Sequence, residues 1–299
     1  MAKKKSAEEI QKELRDLSKP DPATQKPPFD AKKTIIRIVG VLALLWIVAG
    51  AFSSFFHTSI PLYISGVLTV VVAGVMVWAQ RMMKKQQAIG AILQGADTPE
   101  GRKEAVERLK KEFKAGDSQA VLARAQLEMQ EDPRKALATL ESVNLDKEMA
   151  PIAAQVRAMR AMIHLTLGEA QEARKLVDAL DLSKQGEAKL RAMFATVAAE
   201  AWARTGQAKK AIDTLELFNP EDPDNAELRA QMWRARAFAY AHLNDMKGVG
   251  RALRKLADLN PQLLAMFVSA KKVHPLLERE AKQMVMKLGL VPTKMIRQR

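Results

Sequence analysis

The chain has no cysteine and only four histidines. Without thiols it can form neither disulfides nor thiolate metal sites, so cysteine usage leaves the redox compartment open. HExxH, CxxC, GxGxxG and phosphate-loop patterns are all missing. His57, His164, His242 and His274 stand apart in the sequence, and no nucleophile, acid and base are spaced for one pocket. These absences point away from an enzyme and from any cofactor or bound metal. His164, flanked by Ile163 and Leu165, reads as a packing histidine, and Glu221-Asp222 as part of a turn. The 15 methionines could suit an adaptable binding surface, but most fall at helical core spacing.

A further absence is organisational: no acidic residue occurs between Asp30 and Asp97. Within that window lie two uncharged runs, Ile38 to Phe56 and Ile60 to Ala79. Each approaches the roughly 20 residues that span a hydrocarbon core of about 30 Å. They predict a two-helix transmembrane hairpin over residues 34–80. A buried hairpin in a water-soluble core is the competing reading, disfavoured by the length of two adjacent runs. Lys26, Lys32, Lys33 and Arg37 precede the first run, and Arg81, Lys84 and Lys85 follow the second. The connecting Ser53–Ser59 loop has only His57. Basic flanks mark the cytoplasmic side, so both termini are expected there. Arg37 can snorkel from the span edge to the headgroups.

The net charge of +14 follows the same division. Residues 1–33 carry 9 basic and 6 acidic side chains, residues 34–95 carry 4 and none, and residues 271–299 carry 8 and 2. Residues 96–270 are nearly balanced, at 27 and 26. The excess beside the spans suits anionic lipid headgroups, at about 1 kcal/mol per basic residue. No basic face marks the rest, so nucleic acid is not expected as a partner. The start, residues 1–33, reads as a basic tail without a signal peptide, because the apolar run begins late and a second follows. Ser6 and Glu9 have capping-box spacing ahead of Ile10, Leu14 and Leu17. Pro20, Pro22, Pro27 and Pro28 then predict a stiff linker.

Residues 81–116 read as a juxtamembrane helical connector. Arg81 to Gln94 continues as helix, with Met82, Met83, Ile89, Ile92 and Leu93 apolar. Pro99 opens another helix at its first turn. That helix aligns Ala105, Val106, Leu109 and Phe113, and ends by Gly116. From Asp117 the sequence repeats. Segments 165–180, 203–218 and 241–256 each begin 38 residues after the last, aligning Gly168 with Gly206 and Asn244, then Ala173 with Ala211 and Val249, and Val177 with Leu215 and Leu253. Gly or Asn suits a turn that needs a left-handed residue. An earlier unit, Gln126 to Val143, fits with one residue of slippage, its turn at Asp132-Pro133 and its second helix carrying Ala136 and Leu140. Such a period predicts an all-α solenoid of stacked helix pairs. Leu263 to Leu288 reads as a capping pair, bounding the repeat domain at 117–288, and 289–299 as a basic tail.

The repeats resemble the tetratricopeptide family. Trp233, Ala237, Tyr240, Asp245, Leu253 and Pro261 fit its pattern in one unit. Ala161, Gly168 and Ala173, then Ala199, Trp202, Gly206 and Ala211, fit it in two others. The 38-residue period departs from the usual 34, lengthening loops such as Asn219 to Pro223. The layout as a whole is similar to HemY-type membrane proteins. The resemblance implies a concave groove lined by the first helix of each pair, with Gln155, Met162, Met193, Glu200, Arg204, Gln231, Arg234, Phe238 and His242 facing inward. Ala158 and Met162 stand where the family's carboxylate clamp would need Lys and Asn, which counts against capture of a chaperone tail. The expected function is a non-catalytic scaffold, held by two spans in a bacterial-type inner membrane, that binds a protein or peptide segment at the cytoplasmic face. The alternative is an accessory subunit assembled through the hairpin; oligomeric state stays open in both.

Overall fold

The computed structural model describes residues 31–56, 59–269 and 273–290, apart from the side chains of 31–35, 38, 56 and 269. The expected Ser6–Leu17 helix, the proline linker, His57 and the last nine residues lie outside these. Among the described residues there are 13 α-helices, three 3-10 turns and no strand. They form two compact units, divided between Gly95 and Ala96. The anticipated connector over 81–116 is therefore split, its first part completing one helix and its second joining the repeats.

In the first unit, α1 (Ala31–Phe56) and α2 (Ile60–Gln94) pack against each other. Trp46 Nε1 donates to Thr69 Oγ1 at 3.0 Å, and Thr69 Oγ1 in turn donates to the Ser65 carbonyl at 2.7 Å. Small Ala49 and Ser65 are buried. Outward-facing Ile47, Phe55, Tyr63, Ile64 and Val70 are exposed. One described helix, Ile60–Gln94, is long and apolar enough to cross a membrane; its most apolar stretch has a mean hydropathy of 2.2 and is 6% buried. Val39–Phe55 is a shorter apolar helical stretch. Ile89 and Ile92 are buried, and Met83 is exposed.

The second unit begins at α3 (Pro99–Glu112), capped by Thr98, whose side chain accepts from the Gly101 amide. Pro99 occupies the first turn as expected. Ala105, Val106 and Leu109 are buried, but Phe113 lies beyond the helix end and is half-buried. Four helix pairs follow: α4 (Ser118–Glu128) with α5 (Pro133–Glu141), α6 (Ala150–Thr166) with α7 (Ala170–Val177), α8 (Ala188–Arg204) with α9 (Ala208–Leu215), and α10 (Arg229–His242) with α11 (Met246–Leu259). First helices touch first helices: α6 packs on α4 and α8, and α8 on α10.

The turn inside the last three pairs is one motif used three times. Gly168, Gly206 and Asn244 have φ of 78°, 89° and 56°. The next residue's amide bonds to a carbonyl five residues back: Glu169 to His164, Gln207 to Trp202, and Asp245 to Tyr240, at 2.8–2.9 Å. This closure satisfies helix-end carbonyls that would otherwise be orphaned. Ala173, Ala211 and Val249, at matching places in the second helices, are fully buried. Arg236 adds a link the repeat pattern does not announce. Its buried guanidinium donates to the Leu215 and Phe218 carbonyls at 2.6 and 2.8 Å, capping the end of α9.

After Pro261 the expected capping pair is unequal: α12 (Ala265–Ser269) is short, and α13 (Pro275–Lys287) packs on α10, α11 and α12. Leu264, Phe267 and Leu277 are buried, whereas Leu288 lies past the helix and is exposed.

Gly248 marks the tightest contact in α11. A Cβ there would sit 2.5 Å from Tyr240 Cγ, whereas one at Gly250 would meet nothing within 4 Å. Gly248→Ala is therefore expected to cost about 1–3 kcal/mol by overpacking, and Gly250→Ala to gain about 0.5–1 kcal/mol in helix propensity. Urea unfolding of the two variants checks the opposite signs.

Candidate groove and its end cavity

Three helices repeat one stripe. Gln155 and Met162 on α6, Met193, Glu200 and Arg204 on α8, and Gln231, Arg234, Phe238 and His242 on α10 follow i, i+3, i+7 and i+11 positions, so each set lies along one helical face. Gln155, Met162, Met193, Arg204, Gln231, Arg234 and His242 are half-buried. Glu200 and Phe238 are buried: Glu200 is enclosed by its arginine partners, and Phe238 lines the cavity at the end of the stripe. Met162 packs on the central core, and Met193 lies against Ala154, Ala158 and Phe194.

Glu200 is the hub. Its carboxylate, 2% exposed, accepts from Arg204 Nη1 at 3.2 Å and from Arg234 Nε at 2.8 Å. Burying that charge is tolerable only because both guanidiniums pair with it. Arg204 Nη1 also donates to the Leu165 carbonyl at 2.9 Å, so one residue pair ties α6, α8 and α10 together. The Arg204 guanidinium lies 4.7 Å from the Phe238 ring centroid, a cation–π contact. Phe238 meets Phe267 edge-on at 5.6 Å. Two positive charges against one negative leave the cluster with an excess of one.

The chain of contacts ends at a cavity of about 310 Å³ lined by Gly168, Ala170, Arg204, Phe238, His242, Val273 and His274. Three sequence candidates, Arg204, Phe238 and His242, converge here. Val273 and His274 were not foreseen; His274 lies outside the 38-residue register, and only the path of the final segment brings it in. Its ring centroid is 4.7 Å from that of His242, tilted by 56°. The Leu276 amide donates to His274 Nδ1 at 3.3 Å, which assigns the neutral ring's proton to Nε2. Burial, then the neighbouring His274 and Arg204, holds His242 below the ordinary imidazole value of 6.5.

His164 is elsewhere and satisfied: it is buried, with Nδ1 2.8 Å from Glu169 Oε2. A second, more open hollow of about 480 Å³ lies between the 177–183 turn and Trp202 with Lys210. There the Lys210 ammonium sits 3.6 Å over the Trp202 ring, whose Nε1 donates to Asp178 at 2.8 Å. Burial would raise the Asp178 carboxyl, but hydrogen bonds from Trp202 and Arg174 outweigh it and hold the group low. No group of three or more His, Asp or Glu able to hold a metal occurs among the described residues. Of the membrane-flanking set, Arg37, Arg81 and Lys84 are exposed and Lys85 is half-buried; the Lys32 and Lys33 side chains lie outside the described residues.

Glu200→Ala is expected to lower stability by roughly 1.5–3 kcal/mol, since two charge-assisted bonds vanish while both arginines keep some water access; chemical denaturation reads the loss. For His242 the depressed value means that the unfolded chain takes up a proton first as pH falls. Its contribution to stability is complete above about pH 6.5 and is lost as pH drops through the folded value. His242→Gln should therefore flatten the decline in stability from about pH 7 to about pH 5, measured as midpoint against pH for both proteins. Compared with protein-family models, curated proteins and solved structures, the chain matches none.

Proposed function

We propose that this chain is a membrane-anchored scaffold without catalytic activity. Two spans, α1 and α2, hold it in a bacterial-type inner membrane with both termini cytoplasmic, and a tetratricopeptide-like solenoid receives a segment of a partner protein along the α6, α8 and α10 stripes. The observation that carries this reading is the contrast between the units. The first leaves large apolar side chains exposed along both helices, a state water penalises at about 25 cal/mol per Å² and lipid does not. The second buries most of its large apolar residues and leaves most of its charged ones at least partly exposed. The 38-residue recurrence of the left-handed turn and the contact of first helix with first helix support the solenoid assignment. The half-buried Gln155, Gln231 and Arg234, stripe residues on α6 and α10, support a groove that binds through shape and polar contacts. Tethering would raise the effective concentration of whatever the groove holds.

A second reading, an accessory subunit assembled through the hairpin, is supported by the small buried residues Ala49 and Ser65, which show how closely helices can approach in this unit. Photocrosslinkers at Gln231 and at Val70 in the full-length protein separate the two. Partner adducts from Gln231 are expected; adducts from Val70 alone would favour the subunit reading.

The absence of cysteine makes topology directly readable. Ser59→Cys should react with a membrane-impermeant maleimide in intact cells, and Lys209→Cys only after permeabilisation. Labelling of Lys209→Cys in intact cells would reject the cytoplasmic assignment.

A further inference from the structure

We propose that the end cavity binds a carboxylate carried on an apolar group, with Arg204, His242 and His274 holding the charge and Phe238, Val273 and Ala170 receiving the apolar part. This deepens the groove reading and rests on it: the carboxylate would belong to the partner segment, either as a free chain end or as an acidic side chain beside an apolar one.

Charge and donor supply carry the inference. Glu200 is the carboxylate that pairs with Arg204 and Arg234, and it cancels one of their two charges. Glu169, next to the lining Gly168, is taken by His164 and Arg134. Among the described residues the lining contains no acid. Among the described residues the Glu200 cluster thus keeps an excess positive charge beside a hollow with room for roughly ten waters, a setting that favours an anion. Of the Arg204 donors, Nη1 serves Leu165 and Glu200, leaving the remainder of the planar fork available. His274 presents Nε2–H because Nδ1 accepts from Leu276. The apolar half of the lining then selects against small hydrated anions, which keep their water more cheaply outside.

The same geometry makes binding proton-linked. The groups that bear on His242 are His274, ahead of α13, and Arg204, from α8; both discourage a proton on its ring, as does burial. On its own helix, Arg234 is paired with Glu200, and Arg236 Nη2 donates to the Leu215 and Phe218 carbonyls. An entering carboxylate opposes the two electrostatic effects and draws a proton onto the imidazole, so affinity should rise as pH falls, by up to about tenfold per unit where one proton is taken up.

The test uses the full-length protein in nanodiscs, labelled with ¹³C at histidine Cε1; four histidines give a readable spectrum. N-acetyl-leucine is the probe and N-acetyl-leucinamide its uncharged match. Expected are shifts of the His242 and His274 signals with the acid alone, unmoved His57 and His164, and tighter binding at pH 6 than at pH 7.5. Arg204→Gln should weaken binding tenfold or more, and His242→Gln, which leaves the Glu200 hub intact, should abolish the pH dependence. Equal shifts with acid and amide, or unmoved His242 and His274 at saturating acid, would overturn the proposal. Pentapeptides with a free C-terminus, or amidated with an internal glutamate, distinguish the two sources. Gln231 adducts that persist when the acid fails to bind would reject this site while leaving the groove standing; loss of those adducts with acid binding intact would reject the groove alone.

Discussion

The second unit depends on how closely its first helices approach. Ala195, Ala198, Ala199, Ala201 and Ala203 on α8 and Ala235, Ala237, Ala239 and Ala241 on α10 are all buried. Side chains that end at Cβ let neighbouring backbones approach, and dispersion contacts across that seam add to those of the large apolar residues around it. Bulk comes from buried Phe194, Met232, Trp202 and Trp233, from Phe238 packed on Phe267, and from second-helix leucines such as Leu215, Leu253 and Leu256.

Against so uniform a seam, polar contacts fix register. The Glu200 carboxylate can meet Arg204 and Arg234 together only when α8 and α10 are aligned to within a fraction of a turn. Arg236 does the same for the end of α9. A buried ion pair adds little net stability over an apolar substitute, but it penalises every misaligned packing. The N-terminal pair has its own version: Glu128, buried, accepts from Thr139 at 2.5 Å and lies near Arg124 and Lys135.

Much of this was legible in the sequence. The 38-residue recurrence located the left-handed turns at Gly168, Gly206 and Asn244, because a backbone with positive φ selects residue type directly. The uncharged run from Ile60 was equally plain. Less legible was which stripe residues face outward. The tetratricopeptide resemblance implied that Glu200 and Phe238 line the groove with Gln231, but depth depends on neighbours supplied by other helices, here Arg234 and Phe267. His274 carried no signal at all: it sits outside the repeat, and its meeting with His242 is a contact between residues far apart in the sequence. Phe113 and Leu288 show the complementary failure, where apolar spacing continued past the point at which the backbone left the helix.

The clasp of α6, α8 and α10 by a single carboxylate and two guanidiniums bears on the cost of recognition. Three consecutive helices that cannot slide past one another form a mould set in advance, so a segment bound there, as proposed above, would surrender its own freedom but ask little of the host. Selectivity in such a mould would then come from mismatch of contour and charge, since a stiff host adapts to neither.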